Sequence, residues 1–129
     1  NGLTHLGISP YGFPNHMIEH SMSAISDVPH GAGLSVIMPA WMQWYQSQRP
    51  AQFKRFAKEI IDLDKAEDCI QALKAWFDKI GTPTRLEQLG IDDKTLAEIV
   101  DNAAQTAIRA KVEKTYTKEA IEAIFALAK

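Results

Sequence analysis

Through most of this chain, apolar residues recur every three or four positions, and no segment shows the apolar–polar alternation of a half-buried strand. From Pro50 onward, this spacing places apolar side chains on one face of each of several successive helices. The segment 32–45 is apolar on nearly all sides, which fits a buried helix or a buried strand. Its length and its Met, Ala and Gln content favour a helix, kinked at Pro39. The sequence therefore predicts an all-α fold, a helical bundle of about six to seven helices.

Capping and helix-breaking residues set the expected helix boundaries. The first helix is predicted from His16 to about Ile25, and a turn is predicted at 27–31. Gly81 and Gly90 are expected to end the helical segments that precede them. The predicted N-cap residues are Asn15, Asp64, Asp92 or Asp93, and Thr117.

Composition limits the possible classes of protein. A chain of 129 residues, 46% of them hydrophobic, suits one domain over residues 1–129 and excludes disorder. Lys+Arg total 14 against 16 Asp+Glu, so no basic surface for nucleic acid is expected. No apolar run approaches the roughly 20 residues of a membrane helix, so no membrane partner is expected. The single cysteine, Cys69, fits a reducing compartment and predicts a cytoplasmic protein, with Cys69 as an inert buried thiol.

The start of the chain is unlike the rest of it. The chain begins with Asn1 rather than Met, and its first fourteen residues include three glycines and two prolines. For residues 1–14 we expect the tail of a helix followed by a loop, because so many glycines and prolines break any regular period. We interpret the chain as part of a larger protein or as a processed product.

Three of the four histidines lie within residues 16–30. His16 and His20 are four residues apart on a predicted helix, which places them about 40° apart on one face. His30 follows the turn that begins at Asp27, and this turn can bring His30 back over the same helix. Imidazole is the commonest metal ligand in proteins, so the three histidines form a candidate metal site. The alternative is an ordinary polar helix face with a histidine in the next turn.

The run HMIEHSMSAISDVPHGAGLSVIMPAW resembles the signature of the iron-containing (group III) alcohol dehydrogenases, in particular the butanol dehydrogenase and aldehyde reductase branch. That signature is His-x3-His, then nine residues, then His-Gly and an apolar helix with a proline. Here these positions are His16, His20, His30-Gly31 and Pro39. The resemblance covers essentially the whole chain, and its supporting positions are Trp76-Phe77, Gly81-Thr82-Pro83-Thr84-Arg85-Leu86, Leu89-Gly90-Ile91 and the helix after Thr117.

The resemblance implies a fold and an activity. The chain is similar to the all-helical, dehydroquinate synthase-like C-terminal metal-binding domain alone, without the N-terminal nucleotide-binding domain that completes the family's enzymes. The whole enzyme would interconvert alcohols with aldehydes or ketones by hydride transfer to or from NAD(P), with the metal as a Lewis acid that polarises the carbonyl oxygen. Fe²⁺ is the usual metal of the family, and Zn²⁺ suits the same donors.

The resemblance also assigns site residues. His16 and His30 correspond to metal ligands, while His20 corresponds to a catalytic histidine that orients substrate or nicotinamide and shares in proton transfer. The Asp and the first His of the four-ligand set have no counterpart here, and His5 is expected to face solvent. No cofactor-binding residues are identified. With half of its ligands, the isolated chain is expected to bind metal weakly and to be inactive.

Several other positions carry predictions. Glu19, about 100° from its histidine neighbours on the helix, is expected at the surface. Asp27 is either a carboxylate that orients a histidine or a turn residue. Core packing is expected for the Trp76-Phe77 pair and for the aromatic residues of 41–45, with a substrate-pocket wall as the alternative for the latter: Trp41, Trp44 and Tyr45.

Two other functions remain open at this point. The chain could be a non-catalytic helical interaction domain, or a zinc-dependent relative similar to glycerol dehydrogenase. Convergence of His16 and His30 in one open cleft would favour the enzyme. The expected partners are a small alcohol or aldehyde, the protein's own N-terminal domain, and further copies of itself in a homo-oligomer.

Overall fold

The computed structural model describes residues 14–129, and over this range it contains α-helices, short 3₁₀ and π-helical turns, and no strand. The prediction of an all-α fold is confirmed, including the helix over 32–45. Of the segment 1–14, predicted as a helix tail followed by a loop, residues 1–13 lie outside the described range, and so does His5. Its last residue, Pro14, begins α1, so the prediction of a loop is wrong at that position. The α-helices are α1 (Pro14–Ser26), α2 (His30–Tyr45), α3 (Pro50–Phe56), α4 (Ala66–Lys79), α5 (Asp93–Arg109) and α6 (Lys118–Ala126).

Helices α1 and α2 form the centre of the bundle. Helix α1 packs against α2 and α5, while α2 also contacts α4 and α6. This arrangement follows from the composition of α2, which is apolar around its circumference and therefore needs neighbours on several sides. The residues that line the shared core are Ile18, Met22, Val36, Ile37, Ala40, Ile99, Val100, Ala103, Ile121, Ile124 and Phe125.

Two of the predicted helix caps are confirmed. The Asp92 carboxylate accepts a hydrogen bond from the Thr95 backbone N–H at 2.8 Å, so Asp92 rather than Asp93 caps α5. The Thr117 hydroxyl accepts from the Ala120 N–H at 3.2 Å and caps α6. Both side chains satisfy N–H groups that the first helical turn leaves without a backbone partner.

The other two predicted caps are wrong. Helix α4 begins at Ala66, so its N-cap position falls on Lys65, and Asp64 lies one residue too early. Helix α1 already includes Pro14, which places Asn15 inside the helix. Proline is well tolerated in the first helical turn because its missing N–H would have no partner there.

Helix α4 shows how a predicted core pair divides between core and surface. Phe77 is buried, but Trp76 is 53% exposed, so the prediction of core packing for Trp76 is wrong. Adjacent residues point about 100° apart on a helix, and α4 buries only one face. Cys69 lies on that face and is fully buried, as predicted, and burial raises the pKa of its thiol.

Between residues 14 and 129, none of the helices combines the length and the apolar character needed to cross a membrane.

Candidate metal centre

The three histidines of residues 16–30 meet where α1 faces the first turn of α2. His16 and His20 lie one helical turn apart on α1, and His30 is the first residue of α2. The ring centres of His16 and His30 are 5.1 Å apart, those of His20 and His30 are 5.3 Å apart, and those of His16 and His20 are 6.0 Å apart. The structure thus brings together every histidine that the sequence singled out within the described range.

These separations can be compared with those of imidazoles that share a metal ion. With a metal–nitrogen bond of about 2.1 Å, the metal lies roughly 3.2 Å from each ring centre, so two rings at octahedral or tetrahedral angles have centres about 4.5–5.2 Å apart. The pair His16–His30 falls in this range, and the pair His20–His30 lies just above it. The donors present therefore fit a divalent metal, and His30 belongs to both well-spaced pairs.

The site is open to solvent, and His16 is the most enclosed of its three histidines. The His30 side chain is 48% exposed and His20 is exposed, whereas His16 is half-buried. Burial lowers the pKa of His16, and the positive charges of His30 and His20 lower it further, while Glu19 opposes the shift. A lowered pKa favours the neutral imidazole, which is the form that binds metal.

Glu19 is the site residue that the sequence reasoning missed. The prediction of a surface position is wrong, because Glu19 is 0% exposed. Its Oε2 contacts Nδ1 of His30, and its Oε1 accepts a hydrogen bond from the Ser23 hydroxyl at 2.5 Å. One ligand atom from each of Glu19, His20 and His30 lies within 4.8 Å of the others, so a carboxylate joins two of the three histidines in this set, which does not include His16.

Burial of Glu19 depends on a glycine in the facing helix. A Cβ atom on Gly33 would lie 2.6 Å from Oε1 of Glu19 and 2.7 Å from its Cγ, so only glycine leaves room for this side chain. Gly33 and His30 are three residues apart and share one face of α2. Gly33, three residues after His30, was the one sequence signal that could have predicted close packing of α2 against α1 at this point.

Asp27 is a turn residue, the second of the two roles predicted for it. It is exposed, its φ is 52°, and its backbone N–H donates to the Ser23 carbonyl oxygen at 3.0 Å. This left-handed residue after the last turn of α1 ends the helix. The carboxylate that reaches His30 belongs to Glu19 instead.

The aromatic residues of α2 lie partly in the core and partly beside an open hollow. Trp41 stacks on Tyr45 with ring centres 4.9 Å apart, and its Nε1–H donates to the Tyr116 hydroxyl at 3.0 Å. Trp41 and Tyr45 also line an apolar hollow of about 460 Å³, together with Phe53 and with Asn15, the neighbour of His16. Both predicted roles, core packing and a pocket wall, are therefore compatible with these positions.

Three imidazoles and a buried carboxylate meet at one helix junction of this helical domain. The fold and the site therefore define a candidate metal-binding domain. Residues 12–128 match the family model described as Fe-containing alcohol dehydrogenase family, C-terminal. The chain belongs to this family, as its histidine signature predicted.

Individual relatives agree with this assignment. The chain is 33% identical over 111 residues to the probable NADH-dependent butanol dehydrogenase 1 of Bacillus subtilis, a match that covers 80% of this chain and 28% of the relative. The crystal structure of NADH-dependent butanol dehydrogenase A from Thermotoga maritima superposes with a TM-score of 0.80 at 35% identity, over 89% of this chain and 32% of that one. The chain thus spans less than a third of the length of these relatives.

A more distant structure supports the fold alone. The aldehyde reductase of Escherichia coli superposes with a TM-score of 0.78 at 18% identity, over 89% of this chain and 32% of that one.

Proposed function

We propose that this chain is the metal-binding part of a two-domain, iron-dependent alcohol dehydrogenase that interconverts alcohols with aldehydes or ketones. The single observation that carries the proposal is the 5.1 Å separation of the His16 and His30 rings in a chain of this family. The nucleotide-binding domain would precede this one, and NAD(P) would be held mainly there. The relatives support an alcohol or aldehyde substrate by their names, butanol dehydrogenase and aldehyde reductase.

His16 and His30 are the proposed metal ligands. Imidazole nitrogens suit Fe²⁺ and also Zn²⁺, so the donor type alone is compatible with both ions. The remaining ligands, a carboxylate and a third imidazole, would come from the segment that precedes this chain in the whole protein. When bound, the metal supplies a Lewis acid that polarises the carbonyl oxygen of the substrate.

His20 is the proposed catalytic residue. It is exposed, and its ring centre lies 5.3 Å from that of His30, so it can contact a substrate held at the metal. Its imidazole can orient the substrate or the nicotinamide and can pass a proton to or from the alcohol oxygen. The apolar hollow beside Trp41 and Tyr45 is suited to the hydrocarbon part of the substrate.

Convergence of the histidines in an open site favours this function over a non-catalytic interaction domain. An interaction domain would have no need to bring three imidazoles within 6.0 Å of one another. We further propose a cytoplasmic location, in keeping with the single buried cysteine. Self-association is proposed because Trp76 on α4 and Ile80, the residue after α4, expose apolar surface.

The ligand assignment can be tested with cobalt(II), whose visible absorption reports coordination by imidazole. We expect His16→Ala and His30→Ala each to abolish the cobalt spectrum of the chain, and His20→Ala to retain it. If His20→Ala abolishes the spectrum and His16→Ala retains it, the ligand pair is His20 and His30 instead.

The activity requires the complete protein. The isolated chain is expected to show no NADH- or NADPH-dependent reduction of butyraldehyde, because two of its four ligands and the nucleotide domain are supplied elsewhere. A rate near that of a full-length relative would contradict this expectation. Recovery of the parent reading frame should reveal an Asp-x3-His pair and a glycine-rich nucleotide loop upstream of this segment.

A further inference from the structure

Glu19 is a buried carboxylate with both oxygen atoms engaged by neighbouring side chains. Oε2 contacts Nδ1 of His30, and Oε1 accepts from the Ser23 hydroxyl. A buried charge is tolerated when hydrogen-bond donors surround it, and it destabilises the fold when one of those donors is lost. The carboxylate is therefore held in one position against one nitrogen of His30.

We propose that Glu19 is the positioning residue of His30, which it holds with the proton on Nδ1 and the lone pair on Nε2 available to a metal. A neutral imidazole carries one proton, and the hydrogen bond at one nitrogen decides which nitrogen remains a ligand. Histidines that bind metals commonly donate their second N–H to a carboxylate, which fixes the ring orientation and raises the basicity of the ligand nitrogen. This inference rests on the proposed role of His30 as a metal ligand.

Four residues at helical spacings build this arrangement. Glu19 and Ser23 are four apart on α1, and His30 and Gly33 are three apart on α2. These spacings place each pair on one face of its helix, so the two faces can meet. Gly33 supplies the space for the carboxylate, and Ser23 holds the oxygen that His30 does not contact.

A purely structural role would have different consequences. If the contact between Glu19 and His30 served only to join α1 to α2, its loss would lower the stability of the fold. The position of the ring proton and the intrinsic metal affinity of the folded protein would then stay the same. The two roles are therefore separated by measurements on His30 itself.

The first measurement is the tautomer of His30 in the metal-free chain, read from ¹⁵N chemical shifts at a pH where the ring is neutral. We expect the proton on Nδ1 in the unaltered chain. Glu19→Leu substitutes an apolar side chain of similar size and removes the acceptor, so the proton should redistribute toward Nε2. Glu19→Gln keeps a carbonyl oxygen and should retain the Nδ1–H form.

The second measurement is the dissociation constant for Co²⁺. Loss of a carboxylate that supports a ligating histidine typically weakens metal binding about 10–100-fold, so we expect a loss of this size for Glu19→Leu and a smaller one for Glu19→Gln. Glu113→Gln, which alters an exposed glutamate in the loop between α5 and α6, is the matched charge control and should bind as the unaltered chain does.

A proton on Nε2 of His30 in the unaltered chain would overturn the proposal, whether or not the Leu variant folds. So would a folded Glu19→Leu variant with unchanged tautomer and cobalt affinity. Failure of the metal-site assignment would give a different result. His30→Ala would then leave cobalt binding intact, while the tautomer of His30 could still be measured in the unaltered chain.

Discussion

Gly33 lies directly against the buried carboxylate of Glu19, so that a Cβ atom added to the glycine would come within 2.6 Å of Oε1. The two residues belong to neighbouring helices, and their contact allows α2 to approach α1 closely enough for His30 to reach Glu19. The glycine thus has a packing role that connects the helix junction to the candidate metal site.

Gly33→Ala is expected to destabilise the protein by about 1–3 kcal/mol, the usual cost of an inserted methyl group in a well-packed interior. The carboxylate has to move, and it then loses its contacts with His30 and Ser23. Gly31→Ala is the matched control in the same helix, because nothing lies within 4 Å of the added Cβ. In that variant the stability should not fall, and any gain should stay below the roughly 0.5–1 kcal/mol of a mid-helix Gly→Ala change, because Gly31 lies in the first turn of α2. Urea denaturation of both variants measures the difference, and equal effects would contradict the packing role.

We expect ionisation of the buried Tyr116 to lower the stability of the fold at alkaline pH. Burial raises the pKa of its hydroxyl from 10.0 to about 12, and the charge of Tyr45 raises it as well, while the hydrogen bond from Trp41 opposes the shift. The unfolded chain therefore loses this proton first. The contribution of the protonated Tyr116 hydroxyl to the free energy of unfolding is complete below pH 10. It is lost as the pH rises to about 12, and the total loss is about 2–3 kcal/mol.

Urea denaturation of the unaltered chain and of Tyr116→Phe, from about pH 9 to pH 12, isolates this effect from that of the lysines. The phenylalanine variant lacks the ionisable group, so its stability should fall less over this range. Parallel pH profiles for the two proteins would show that Tyr116 does not contribute.

Thr117 should stabilise α6 through its hydroxyl. Thr117→Ala removes the acceptor for the Ala120 N–H, and the loss of an N-cap typically costs about 1 kcal/mol. Thr117→Ser retains the oxygen and should preserve nearly all of the stability. Thermal unfolding monitored by circular dichroism checks the pair, and a serine variant as unstable as the alanine variant would argue against the cap.

Metal binding at the candidate site should stabilise the fold. A ligand that binds only the native state at 100 times its dissociation constant adds about 2.7 kcal/mol to the free energy of unfolding. We expect Co²⁺ to raise the melting temperature of the unaltered chain, EDTA to reverse the shift, and His30→Ala to abolish it. A shift that persists in His30→Ala would locate the bound metal elsewhere.

Local signals in the sequence were sufficient for most of the helices. The spacing of apolar residues predicted α4, α5 and α6. Asp92 and Thr117 could be identified as caps because a short side-chain oxygen just before a helix can accept from the N–H three residues on, and in the structure both do so. Asp64 failed as a cap because α4 begins at Ala66, one residue later than an Asp64 cap requires, and its N-cap residue, Lys65, makes no side-chain capping hydrogen bond. The helix in 32–45 needed its length and composition to distinguish it from a strand, since its periodicity did not.

The sequence by itself determined that the chain is helical, that it carries the histidine signature of its family, and that His16 and His20 share a helix face, because each of these depends on residues close together in the chain. The tertiary structure alone decided that Glu19 is buried against His30 and that Trp76 faces solvent. The direction of a side chain on a helix can be read from its sequence position, but whether another helix covers that direction depends on how α1, α2 and α4 pack. Burial is a property of that packing, and here it turned an apparent surface glutamate into a neighbour of the candidate metal site.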